Sequence, residues 1–185
     1  MPVMISMLRG VNLGGHHKIK MEALRALYKS LKFEDPRTYV QSGNVIFGTK
    51  EKNSAALTKK IENAIERTFG FRADVVLRTA NELRKAIAAS PFPASRGLEP
   101  GKVLVTFLAD EPGPEAQTAL LSLKGHPEEL HLRGRELYIY FPNGAGKSKL
   151  PWSSLGKLMK TTGTARNWNS VTKMLAIAEE LEGKG

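Results

Sequence analysis

Hydrophobic positions change period several times along the chain, and each change marks an element. Pro2–Leu8 is an apolar run too short for a helix and cut by Arg9-Gly10, which predicts a buried strand. Met21–Leu31 sets Leu24, Leu27, Tyr28 and Leu31 at helical spacing. Arg37–Gln41 and Asn44–Phe47 read as two strands joined across Ser42-Gly43. Leu57, Ile61, Ile65 and Phe69 mark a second helix closed by Gly70, and Arg72–Arg78 reads as another strand. The order is β-α-β-β-α-β, the split βαβ or ferredoxin-like unit. Thr79 and Glu82 have capping-box spacing and predict a connecting helix.

The alternation then restarts. Lys102–Leu108 is an apolar strand, Pro114–Leu123 a helix, and Glu129–Leu132 with Glu136–Phe141 a hairpin. A helix follows Pro151, carries Leu155, Leu158 and Met159, and is expected to stop at Gly163. Ala165–Leu181 reads as a final helix capped by Thr164, with Trp168, Val171, Leu175 and Ala178 facing the core. The expected fold is α+β, a tandem duplication of two ferredoxin-like (βαββα-type) subdomains. The first covers residues 1–89 with its connecting helix. Residues 90–101, with three prolines and two glycines, form the linker. Residues 102–185 form the second subdomain, in which a helix stands where the first has its last strand. The duplication rests on element order, since no residue-level repeat is evident.

Composition narrows the chemistry. The chain holds no cysteine, which removes disulfides, thiol nucleophiles and thiolate metal sites. With no long apolar stretch and no basic leader before the first strand, a cytoplasmic protein without a membrane span is expected. The net charge is +10. Residues 1–89 hold 16 basic and 8 acidic residues, net +8, and residues 90–185 hold 12 and 10, net +2. A basic half attracts anionic partners.

Motifs sharpen that only in part. Arg9–Lys20 is a strand-to-helix loop with three glycines, and Arg9, Lys18 and Lys20 add charge to amides that precede a helix start. Its glycines lack dinucleotide-fingerprint spacing. Asn143–Ser148 resembles the tail of a phosphate loop, but Phe141 occupies the place of the first glycine. The four histidines have no metal-site spacing. Ser42, in a turn between Gln41 and Asn44, lacks the setting of a nucleophile elbow. Tyr39 and Phe47 are aromatic residues that either stack on bases or belong to the core. Arg166 and Asn167 crowd the start of the last helix beside Trp168, where asparagine is a poor helix former.

Three stretches together resemble the bacterial family known as domain of unknown function 1697. They are Leu8-Arg-Gly-Val-Asn-Leu-Gly-Gly15 with Lys18–Met21, Tyr39-Val-Gln-Ser-Gly-Asn-Val-Ile-Phe47, and Thr164-Ala-Arg-Asn-Trp-Asn-Ser-Val-Thr-Lys173. His16-His17 depart from the family's more usual residues. The resemblance implies the tandem ferredoxin-like architecture and no activity. The candidate binding residues are Arg9, Asn12, Lys18, Lys20, Gln41, Ser42 and Asn44 in the first half, and Arg166, Asn167 and Trp168 in the second. The leading expectation is a phosphate-bearing ligand, with nucleic acid as one case. The alternatives are an enzyme acting on a small anionic substrate and a ligand-free interaction module. No metal or cofactor is expected, and the sequence leaves the oligomeric state open.

Overall fold

A computed structural model describes residues 1–184. The chain divides into two compact units. One combines Met1–Lys85 with residues from Thr172 onward, and the other is Ala86–Val171. Each contains one four-stranded antiparallel sheet.

In the first unit the elements are β1 (Val3–Leu8), α1 (Met21–Ser30), β2 (Glu34–Tyr39), β3 (Asn44–Gly48), α2 (Ser54–Phe69) and β4 (Val75–Thr79), with α3 (Ala80–Ala88) beginning here. The strand order is β2-β3-β1-β4. β1 is central and buried along its whole length, so it reads as a continuous apolar run rather than an alternation. Met4 and Leu8 pack with Leu24, Tyr28, Phe47 and Ile61 of one core. Ser6 is polar in this core, and its hydroxyl pairs with the Tyr28 hydroxyl at 2.7 Å. Burial pushes the Tyr28 phenol well above its ordinary pKa, against the smaller lowering by Ser6. The α2 N-terminus is capped by Asn53, which accepts from the Ala56 amide, and Gly70 closes the helix in the left-handed conformation.

Pro36 lies inside β2, where the sequence reading began the strand only at Arg37. β2 is an edge strand, and its register shifts between Glu34 and Arg37, so a residue without an amide donor fits there. The capping box forms as expected. The Glu82 amide donates to Thr79 Oγ1 at 3.0 Å, and the Thr79 amide donates to Glu82 Oε2 at 2.7 Å.

The second unit contains β5 (Val103–Leu108), α4 (Pro114–Ser122), β6 (Glu129–Arg133), β7 (Glu136–Tyr140), α5 (Trp152–Met159) and β8 (Gly163–Asn167), with α6 (Trp168–Glu182) beginning here. The strand order is β6-β7-β5-β8. This corrects the expectation that a helix replaces the last strand of the second half. Residues 163–167 pair with β5 from Leu104↔Asn167 to Leu108↔Gly163, so the order is β-α-β-β-α-β with a helix after it. The strand was hidden because its inward positions, Thr164 and Arg166, are polar. α5 ends at Lys160, itself in the left-handed region, and Gly163 opens β8. Thr164 is therefore no helix cap. The Asn169 amide instead finds the side chain of Asn167 at 3.0 Å.

The central strands of the two sheets also align in register with their neighbours. Val-Met-Ile-Ser-Met-Leu of β1 corresponds to Val-Leu-Val-Thr-Phe-Leu of β5. Ile5 faces Ile46 and Arg78, and Val105 faces Tyr138 and Arg166. Leu8 N donates to Gly43 O and Leu108 N to Arg135 O, both at 2.9 Å. Arg78 and Arg166 occupy equivalent places, and both are buried. Each precedes a capping side chain and a helix.

The Ser6–Tyr28 pair gives a direct test of the first core. Tyr28→Phe alone strands a buried hydroxyl and should cost about 1–3 kcal/mol in urea unfolding. Adding Ser6→Ala should recover part of that loss, because both polar partners are then gone. Additive losses would show that the two hydroxyls do not interact.

Candidate functional site

The first unit's candidate residues gather at one end of its sheet, where β1 stops, β4 starts and β2 turns into β3. Leu8 N is bonded to Gly43 O, and Arg9 N donates to Asp74 O at 2.9 Å. Residues 9–20 then run as a loop to α1. Asn12 fastens it: Nδ2 donates to Ile19 O at 3.0 Å and to Gln41 O at 2.7 Å, while Oδ1 accepts from Ile19 N at 2.8 Å. Val11 and Ile19 anchor the loop in the core. The Arg9–Lys20 loop and the Gln41–Asn44 turn therefore touch, through the Asn12 amide.

Both segments are conformationally demanding. Gly10, Asn12, Gly14, Gly15 and His17 have positive φ in the loop, as do Val40 and Gly43 in the turn. Glycine and asparagine adopt that region readily. Val40, at φ 52, is β-branched and strained there. Gly43 has a second constraint, since a Cβ would lie 2.7 Å from Val11 Cγ2 and 2.9 Å from Leu8 Cβ.

The side chains divide by role. Asn44 is fully buried and donates to Tyr39 O and Ser42 Oγ, so Asn44 and Ser42 brace the turn from inside. Phe47 is buried against Tyr28 and Phe33, which makes it a core residue unavailable to a base. Arg9, Lys18, Lys20 and Gln41 are exposed. Arg9 has an acidic neighbour in Asp74 at 3.6 Å, and both side chains are open to water. Exposed apolar residues sit among them, with Leu13 at 66% and Val40 at 47% relative exposure. His17 stacks on Phe71 with centroids 4.3 Å apart.

In the second unit the equivalent junctions are plain. Residues 109–113 join β5 to α4 in less than half the length of residues 9–20, and residues 134–135 alone turn β6 into β7. The phosphate-loop-like segment folds as a single 3₁₀ turn, Ala145–Lys147, separated from the start of α5.

Arg166 is buried to 6% exposure, and its guanidinium donates to Thr164 Oγ1 at 2.7 Å and Ala165 O at 2.9 Å. Burial pushes its pKa down to about 10, which leaves it charged at neutral pH. Asn167 Nδ2 donates to Gly101 O at 3.0 Å while its oxygen caps α6. Trp168 lines a cavity of about 300 Å³ with Ile87, Phe92, Leu98 and Val103. The sequence pattern had marked Trp168 but not this cavity, because most of its other walls come from the proline-rich segment read as a linker. Beside it, Arg96 grips Glu129 through two bonds of 2.9 Å, and His131 Nε2 lies 2.8 Å from Glu129 Oε1. Among the described residues no group of three or more His, Cys, Asp or Glu could hold a metal ion, and no helix is long and apolar enough to cross a membrane.

Residues 1–138 match a family described as a protein of unknown function, DUF1697. The chain belongs to this family. Both first-unit stretches lie within the match, and Thr164–Lys173 lies beyond it. This DUF1697 chain is similar in fold to a conserved bacterial protein, SP0830, from Streptococcus pneumoniae. The two are 21% identical, with a TM-score of 0.73 over 96% of this chain and 98% of that one. No curated protein matches it.

Two measurements follow. Val40→Gly should raise stability by about 1 kcal/mol by releasing strain, whereas Gly43→Ala should lower it by about 2 kcal/mol through crowding and positive φ. Denaturant midpoints of the two variants check both signs. Separately, the hydrogen bonds from Arg96 lower the Glu129 pKa to about 2, with His131 contributing less. That stability is present above the unfolded carboxylate pKa and is lost as pH falls from about 4.5 towards 2. The pair is partly exposed, so its contribution is about 0.5–1 kcal/mol. Glu129→Gln should flatten this part of the acid limb in melting curves.

Proposed function

We propose that this DUF1697 protein binds phosphate-bearing ligands, single-stranded nucleic acid among them, through the Arg9–Lys20 loop and the Gln41–Asn44 turn. The observation that carries the reading is the contrast between the two sheets. The same strand order occurs twice, yet the β1–α1 and β2–β3 connections of the first sheet are longer than those after β5 and β6 and hold the strained residues Asn12, His17 and Val40. At those two junctions the second sheet manages with short connections, so the strand arrangement does not need the elaboration there. Strain of this kind collects at working sites. Arg9, Lys18 and Lys20 supply the charge, while exposed Leu13, Val40 and Gln41 offer apolar and hydrogen-bonding surface for bases. The remaining candidates, Asn12, Ser42 and Asn44, hold the loop and turn in shape.

The finer architectural reading belongs to the same proposal. Each sheet with its helices is a copy of one ferredoxin-like unit. Matching strand order, matching registers and the equivalent Arg78 and Arg166 support it. Under this reading the first copy took on ligand binding, and the buried Arg166 and the cap Asn167 serve the second copy's framework.

Fluorescence anisotropy with a short labelled single strand tests the proposal. Three phosphate contacts give a log–log salt slope of about −2, or a loss of about 20-fold between roughly 50 and 200 mM salt. Arg9→Ala/Lys18→Ala/Lys20→Ala should abolish binding and leave the melting temperature nearly unchanged, because these side chains are exposed. Binding of inorganic triphosphate without binding of the strand would mark a small phosphate compound as the ligand. Absence of both at low salt, or binding indifferent to the triple substitution, overturns the reading.

A further inference from the structure

We propose that the cavity beside Trp168 in the second unit is a separate site for a small, flat, neutral ligand. Three observations define that chemistry. The walls are mainly apolar, formed by Ile87, Phe92, Leu98, Val103 and Trp168, and two aromatic rings are among them. The volume, about 300 Å³, is at the small end of ligand pockets and fits one fused bicyclic ring. The nearby charges are already matched. Arg96, which also lies 5.5 Å over the Phe92 ring, is held by Glu129, and Lys102 is held by Glu99 at 2.8 Å. A charged ligand would enter an apolar cavity and have to draw a cation from an existing carboxylate partner. Ser90 is the polar residue of the lining. Its oxygen accepts from the Phe92 amide at 3.1 Å, and its hydroxyl hydrogen can serve one acceptor on the ligand.

The first sheet again acts as a comparison. Trp168 follows β8 as Ala80 follows β4, and Ala80 is buried. The bulky ring therefore belongs to the second unit alone. The segment between α3 and β5 completes the walls through Phe92, Leu98 and Pro100.

The test uses the full chain carrying Trp152→Phe, which removes the exposed second tryptophan and leaves Trp168 as the source of one indole N–H resonance. 2-Acetylnaphthalene, neutral with one acceptor, should shift that resonance saturably at one equivalent. 2-Naphthoate, nearly isosteric but anionic, should bind roughly tenfold or more weakly. Leu98→Phe, which fills the cavity, should weaken 2-acetylnaphthalene by a similar factor. Ala94→Phe fills it from an exposed short turn and serves as the second variant should Leu98→Phe unfold. No saturable shift, equal affinity for the two naphthalenes, or affinity unchanged by the folded cavity-filling variants would overturn the assignment.

Discussion

The amide of Leu8 donates to the carbonyl of Gly43 at 2.9 Å, and the loop-bearing end of the first unit is organised around that bond. It fixes the turn after β2 against the end of the central strand. The approach is so close that position 43 has no room for a Cβ, as Val11 and Leu8 already fill that space. Once the turn is fixed, Gln41 O is presented to the Asn12 amide, and Asn12 in turn holds Ile19. Lys18 and Lys20 flank Ile19 in sequence, so their backbone is set by the same chain of contacts. The basic side chains reach into solvent from a rigid base, which reduces the ordering cost that a ligand would otherwise meet.

The sequence made most of this scaffold legible. Apolar runs located β1 and β5, helical spacing located α1 and α2, and the Thr79–Glu82 pair announced α3 correctly. β8 escaped because its inward residues are Thr164 and Arg166, and a strand whose core face is polar gives no alternating apolar signal. The Val3–Leu8 and Val103–Leu108 correspondence was visible in the letters but carries little weight without strand register to align it. The Arg9–Lys20 loop was recognised from its glycines and charge. Its contact with the Gln41–Asn44 turn runs through the backbone carbonyl of Gln41, to which the identity of residue 41 contributes nothing.

Arg78 and Arg166 show how burial separates appearance from role. On paper Arg166 looks like a ligand-gripping guanidinium beside an asparagine and a tryptophan. In the fold it is enclosed, with Thr164 and Ala165 among its acceptors. Arg78 repeats the arrangement, donating to the carbonyl of Leu77. A buried guanidinium whose donors meet neighbouring oxygens is expensive to disturb. The exposed lysines are the opposite case, cheap to change and available to a partner.

Division of the chain into units has a consequence for how the molecule is made. The second unit is one continuous stretch, Ala86–Val171, whereas the first needs Met1–Lys85 together with residues from Thr172 onward. Synthesis therefore delivers every residue of the second unit before the helical strip whose Glu179, Glu180 and Glu182 pair with Arg84 and Arg37 of the first. The unit whose residues start first along the chain is thus the one completed last. While the rest of the chain is being made, β1–β4 must wait without that strip, and Arg37 and Arg84 without their carboxylate partners.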